Sequence, residues 1–88
     1  MEKKTYIIGR KGSIPLFDKT TSSRHAQLVI DKNKMYLTDL NSTNGTFLVH
    51  KGKREPFKKG FIDIEQTLSF GSHVCTVREL VARAKIAY

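Results

Sequence analysis

Apolar and polar residues alternate in short runs along the chain, and each run is bounded by turn-forming residues. A period of two marks a half-buried strand. Thr5-Tyr6-Ile7-Ile8 therefore predicts a strand that ends at Gly9. Residues 12–23 carry Gly12, Pro15, Asp18 and several Ser and Thr, which predict a long loop with a short extended piece at Ile14-Pro15-Leu16. Ala26–Ile30 and Met35–Leu40 predict two strands, joined by a hairpin turn at Asp31-Lys32-Asn33-Lys34. Asn41–Gly45 predicts a second turn, Thr46–Val49 a strand, and Lys51-Gly52 a further turn. Phe61–Ile64, Thr67–Phe70 and Val74–Val77 complete the strands. The tail Glu79–Tyr88 predicts a short C-terminal helix with Leu80, Val81, Ala84 and Ala87 on one face. Closely spaced strands with one helix define an all-β fold, a small β-sandwich or partial barrel, built as a single domain over residues 1–88.

Composition narrows the chemistry. One Cys in 88 residues excludes an internal disulfide framework and a Cys-only zinc site. Cys75 is read as a small core residue, although it shares a strand face with His73, two residues before it. Two ligands make a poor zinc site, so no metal and no cofactor is expected. No apolar run approaches the roughly 20 residues of a membrane span, and no secretory leader is visible at the N-terminus. A cytoplasmic protein without a membrane partner is the expectation. Tyr6, Phe17, Tyr36, Phe47, Phe57, Phe61, Phe70 and Tyr88 are spread along the chain and are read as filling or edging the core.

Sixteen Lys and Arg stand against eight Asp and Glu, a net charge of +8. That excess favours a polyanionic or phosphorylated partner. The cations form no unbroken block, so a disordered nucleic-acid-binding tail is not expected. Three loops carry suitable groups. Gly9-Arg10 places a guanidinium directly after a strand, where its fork of donors is aimed. Thr20-Thr21-Ser22-Ser23-Arg24-His25 offers hydroxyls and backbone N–H groups in a tight loop. Asp39-Leu40-Asn41-Ser42-Thr43-Asn44-Gly45 sets polar side chains between two strands, with Gly45 free to take a positive φ.

Taken in order, Ile7-Ile8-Gly9-Arg10, Ser22-Ser23-Arg24-His25-Ala26 and Asp39-Leu40-Asn41-Ser42-Thr43-Asn44-Gly45-Thr46 resemble a forkhead-associated (FHA) domain. The resemblance covers residues 5–50 well and 51–80 loosely. It implies an FHA/SMAD-like β-sandwich whose loops recognise phosphothreonine on a partner protein, in a kinase-dependent interaction without catalysis. By that resemblance Arg10 and Ser22 contact the phosphate. Ser23 or Arg24 adds donors to phosphate or peptide. Thr43 contributes to the phosphothreonine site, and Asn44 hydrogen-bonds the peptide backbone. Gly9, His25 and Gly45 support the site, His25 as an internal brace. Relative to the family the chain reads as truncated at its N-terminus by one or two strands. That leaves an exposed sheet edge, to be covered by the C-terminal segment or by strand exchange into a dimer.

Three other readings compete. A phosphate-independent interaction scaffold of the same fold would need none of Arg10, Ser22, Thr43 and Asn44. Gly9-Arg10-Lys11-Gly12 also resembles the Gly-x-x-Gly loop of K-homology RNA-binding domains, but Pro15 and the loop that follows do not support the helix such a loop requires. Ser22, His25 and Asp39 lack any nucleophile-elbow motif, so no hydrolase is expected.

Overall fold

The computed structural model describes residues 3–84. Nine strands and one helix follow in order: β1 (Lys4–Gly9), β2 (Ile14–Pro15), β3 (Ala26–Asp31), β4 (Lys34–Asp39), β5 (Thr46–His50), β6 (Lys53–Pro56), β7 (Lys59–Ile62), β8 (Thr67–Phe70), β9 (His73–Thr76) and α1 (Val77–Arg83). They form two sheets, β2-β1-β3-β4-β7 and β6-β5-β8-β9. The architecture is the β-sandwich with one short C-terminal helix that the alternation predicts.

Alternation decides which side chains meet. In β3, Ala26, Leu28 and Ile30 turn inward while Gln27, Val29 and Asp31 stay half-buried on the other face. Met35 and Leu37 of β4 do the same, and the register pairs Leu28 with Leu37 and Ile30 with Met35. These residues pack with Leu68, Phe70 and Cys75 of the second sheet and with Val77, Leu80 and Val81 of α1 in one core. Burial pushes the Cys75 thiol up to about 12, with Glu79 adding to the effect, so the thiol stays protonated.

Several boundaries differ from the sequence expectation. Strand β6, Lys-Arg-Glu-Pro, is exposed along its whole length and has no apolar alternation to betray it. It exists because Lys51 (φ 51°) and Gly52 (φ 78°) make a tight turn that folds it back on β5. Strand β7 starts at Lys59 and ends at Ile62, earlier than the expected 61–64. Val77 belongs to the helix instead of the last strand. Thr76 caps that helix: its hydroxyl accepts from Glu79 N–H (3.1 Å) and the Glu79 carboxylate accepts from Thr76 N–H (2.7 Å). Leu80 and Val81 face the core as expected and Ala84 packs against it, while Ala87 and Tyr88 lie outside the described residues.

Four aromatic assignments are overturned: Tyr36 and Phe47 are half-buried on the outer faces of their sheets, outside the core, and two more are exposed. Phe17 is 81% and Phe61 66% exposed, so neither fills the core. Phe17 sits in the loop after β2, where no strand alternation turns it inward. Phe61 points outward because its neighbour Ile62 takes the inward position of the edge strand β7. The expected exposed edge beside β1 is covered in part. β2 pairs in parallel with Ile8 and Gly9, and Ser13 Oγ accepts from Ile7 N–H at 3.1 Å. The Arg83 guanidinium reaches the Pro15 carbonyl across this edge at 3.4 Å.

Removing Leu37 side-chain volume creates a cavity at the centre of the larger sheet. Leu37→Ala is expected to cost about 2–5 kcal/mol, whereas Phe17→Ser should stay within about 0.5 kcal/mol of the parent. Urea denaturation of the two variants reads this difference directly.

Candidate functional site

Four connections converge at one end of the sandwich: those after β1, β2 and β4, and the turn between β8 and β9. Backbone bonds bring them together. Arg10 N–H donates to the Ser22 carbonyl and Lys11 N–H to the Ser23 carbonyl, each at 3.1 Å. This approach requires Gly9, since a Cβ there would lie 2.3 Å from the Ser23 carbonyl oxygen. Gly71 N–H donates to the Gly45 carbonyl at 2.9 Å and ties the β8–β9 turn to the loop after β4.

His25 sits beneath these loops, fully buried. Its Nδ1 accepts from Ser22 N–H at 3.0 Å, and its Nε2 lies 2.9 Å from the Gly45 carbonyl oxygen. An N–H donor at one nitrogen and a carbonyl acceptor at the other fix the neutral tautomer with the proton on Nε2. The ring meets Phe70 edge to face, centroids 5.5 Å apart. Burial lowers the His25 pKa, and the bond to the Gly45 carbonyl and the Asp39 charge only partly oppose it.

Asp39 organises the neighbouring loop. Its carboxylate accepts from Ser42 Oγ (2.6 Å), Thr46 Oγ1 (2.7 Å) and Ser42 N–H (3.1 Å). Burial pushes this carboxyl up, but the three hydrogen bonds outweigh it and hold the group below its ordinary range. Ser42 Oγ in turn accepts from Gly45 N–H at 3.0 Å. Asn41 (φ 57°) and Gly45 (φ 83°) take the left-handed conformations that bracket this loop.

The side chains singled out in the sequence fall into four groups. Ser22 and Thr43 meet: Ser22 Oγ accepts from Thr43 N–H at 3.2 Å, which leaves the hydroxyl proton of Ser22 to donate elsewhere. Asn44 is anchored through Nδ2 to the Thr20 carbonyl at 2.9 Å. Arg10 and Arg24 are exposed, and neither guanidinium has a partner among the described residues. Ser23 contributes its carbonyl to the loop contact with Lys11.

Sequence reasoning passed over a second brace. Thr20 Oγ1 donates to Asp18 Oδ1 (2.5 Å), shares a hydrogen bond with Ser72 Oγ (2.9 Å) and accepts from Ser72 N–H (2.8 Å). The Asp18 pKa is lowered, first by the Thr20 hydroxyl. Gly71 closes this contact: a Cβ on it would stand 2.3 Å from the Thr20 carbonyl oxygen. The only signal in the sequence is Gly71-Ser72 between two strands, which reads as an ordinary turn.

The resulting surface is an open tip with fixed hydroxyls and amides and two guanidiniums that have no partner among the described residues. Comparisons with known proteins place the fold. The FHA domain family model matches residues 6–64. The chain belongs to the FHA domain family, whose β-sandwich it shares. The nuclear inhibitor of protein phosphatase 1 from Homo sapiens and that from Mus musculus are each 45% identical over 85 residues, covering 89% of this chain and 24% of the relative. The chain thus spans about a quarter of the length of these curated relatives. Among solved structures, the FhaA FHA domain complexed with the intracellular domain of Rv3910 superimposes with a TM-score of 0.72 at 28% identity, covering 84% of this chain and 79% of that one. An FHA domain from a structural and functional analysis of phosphothreonine-dependent interactions gives 0.74 at 27% identity, covering 86% and 77%. Among the described residues, no helix is long and apolar enough to cross a membrane.

The neutral His25 makes stability depend on pH. Its folded pKa lies below the ordinary 6.5, so its contribution is complete above about pH 6.5 and is lost as pH falls toward the folded value. Protonation also places a proton on Nδ1, where Ser22 N–H must be accepted. The melting temperature is expected to fall between pH 7 and pH 5, and this slope should flatten in His25→Ala, which melts lower throughout. Differential scanning calorimetry across that range checks both statements.

Proposed function

We propose that the chain is a single FHA-type phosphopeptide-binding domain over residues 1–88, which recognises phosphothreonine on a partner protein after a kinase has acted and catalyses nothing itself. The observation that carries this reading is the exposed Arg10 guanidinium, without a partner among the described residues, whose backbone is bonded to that of Ser22 on a tip that His25 and Asp39 brace. A phosphothreonine carries about −1.5 to −2 charges and three strong acceptor oxygens. Arg10 supplies charge and a fork of donors, and the Ser22 hydroxyl supplies a further one. Each such charge-assisted bond is worth roughly 1.5–3 kcal/mol. Three or four of them, less the cost of ordering a peptide, give a Kd on the order of micromolar.

The remaining roles follow from placement. Asn44 has Nδ2 committed to Thr20, so its Oδ1 is presented to accept a backbone N–H of the peptide. Thr43 stands next to the phosphate position through its bond to Ser22. Arg24, exposed on the same loop, and Ser23 beside it extend the donor set toward the residues flanking the phosphothreonine. Gly9 and Gly45 allow the close loop contacts. No metal or other cofactor enters this scheme. The curated relatives are named as nuclear, and the reducing cytoplasm or nucleus suits a buried free Cys75.

A phosphothreonine-peptide library screened beside its unphosphorylated twin tests the reading. Only the phosphorylated set is expected to bind. Arg10→Ala should weaken the selected peptide by about a hundredfold, equal to about 2.7 kcal/mol, with an unchanged melting temperature. Isothermal titration giving equal affinities for Arg10→Ala and the parent would remove Arg10 from the site.

A further inference from the structure

We propose that the outer face of the larger sheet around Phe61 is a second binding surface, which takes an unphosphorylated acidic segment of a partner protein through an apolar side chain seated beside Phe61. The register across the sheet sets Val29 opposite Tyr36 and Tyr36 opposite Phe61, so three apolar side chains form one row over β3, β4 and β7. The Tyr36 and Phe61 rings meet edge to face at 5.0 Å. A lone exposed aromatic is ordinary, but a row continuous over three strands presents a contact surface. A cavity of about 410 Å³ opens on this row, lined by Val29, Tyr36 and Phe61 with Lys3, Asp31 and Lys34 at its rim. A second, of about 230 Å³, also borders Phe61, against Met35 and Ile62, and again reaches Lys34. Phe61 thus borders two hollows, on the edge strand of its sheet among the described residues.

Charge selects the occupant. Lys3, Lys34 and Lys59 share this face with Asp31, and the chain as a whole carries +8. Apolar centre and basic rim together fit a segment with a Leu- or Phe-type anchor among Asp or Glu residues. This surface is separate from the tip that carries Arg10 and Asn44, so its use does not depend on phosphate.

The probe is a short unphosphorylated Glu-rich peptide carrying two leucines, titrated into 15N-labelled protein and followed by NMR. Chemical-shift changes are expected at Val29, Lys34, Tyr36 and Phe61, and not at Arg10 or Asn44. The same peptide with Ser in place of Leu, and a Lys-rich version, should both bind at least about tenfold more weakly. Phe61→Ser and, independently, Lys34→Glu should each weaken the probe by about tenfold while leaving phosphopeptide affinity and melting temperature as in the parent. Shifts confined to the Arg10 tip, or unchanged affinity in both variants, would overturn the proposal. So would concentration-dependent shifts at Phe61 without peptide, which would assign the face to a second copy of the chain.

Discussion

One buried imidazole holds the working end of this molecule together. His25 accepts the Ser22 N–H with one nitrogen and faces the Gly45 carbonyl with the other. Two loops separated by a full hairpin are thereby fixed at a set distance, and only a neutral ring can serve both. The loop after β1 then inherits its position from Ser22 and Ser23, whose carbonyls it binds. A buried neutral histidine with both nitrogens satisfied is a costly arrangement to break, because each lost partner leaves a polar group without water.

Around this brace the side chains divide into those already committed and those left free. Asp39, Ser42 and Thr46 bond one another, and Asp18, Thr20 and Ser72 form a second set, with His73 Nδ1 3.9 Å from the Asp18 carboxylate. Their role is to order the backbone before any ligand arrives, which reduces the entropy lost on binding. Arg10 and Arg24 stand outside both sets. In a chain of net charge +8, most cations are scattered over the surface; the distinctive feature of Arg10 is its rigid base.

Much of this was legible in the sequence. The strands from β1 to β5 and β8 follow from short apolar runs bounded by turn residues, with clean one-face alternation in β3 and β4, and Asn41 and Gly45 mark the loop that needs left-handed residues. Ser22, His25 and Asn44 stand out by their order along the chain, and the structure joins Ser22 to His25 and anchors Asn44 on Thr20. Strand β6 was not, because its residues are polar on both faces and only the Lys51-Gly52 turn reveals it. Phe17 and Phe61 were misplaced because hydrophobicity does not say which face a side chain takes. In β7 a shift of two residues separates the expected strand from the observed one, and Ile62 claims the core. The Thr20–Ser72 contact joins residues 52 apart in sequence, and no local pattern encodes such a pairing.

The tie between Gly71 and Gly45 has a temporal consequence. The tip needs the β8–β9 turn, close to the C-terminal end of the described chain, before its earlier loops can lock. During synthesis, Arg10, Ser22 and Asn44 leave the ribosome well before Gly71 and Ser72 do. A nascent chain therefore carries these three side chains before their final geometry can form, since that geometry rests on non-local pairing of the kind that makes β-rich domains slow to mature.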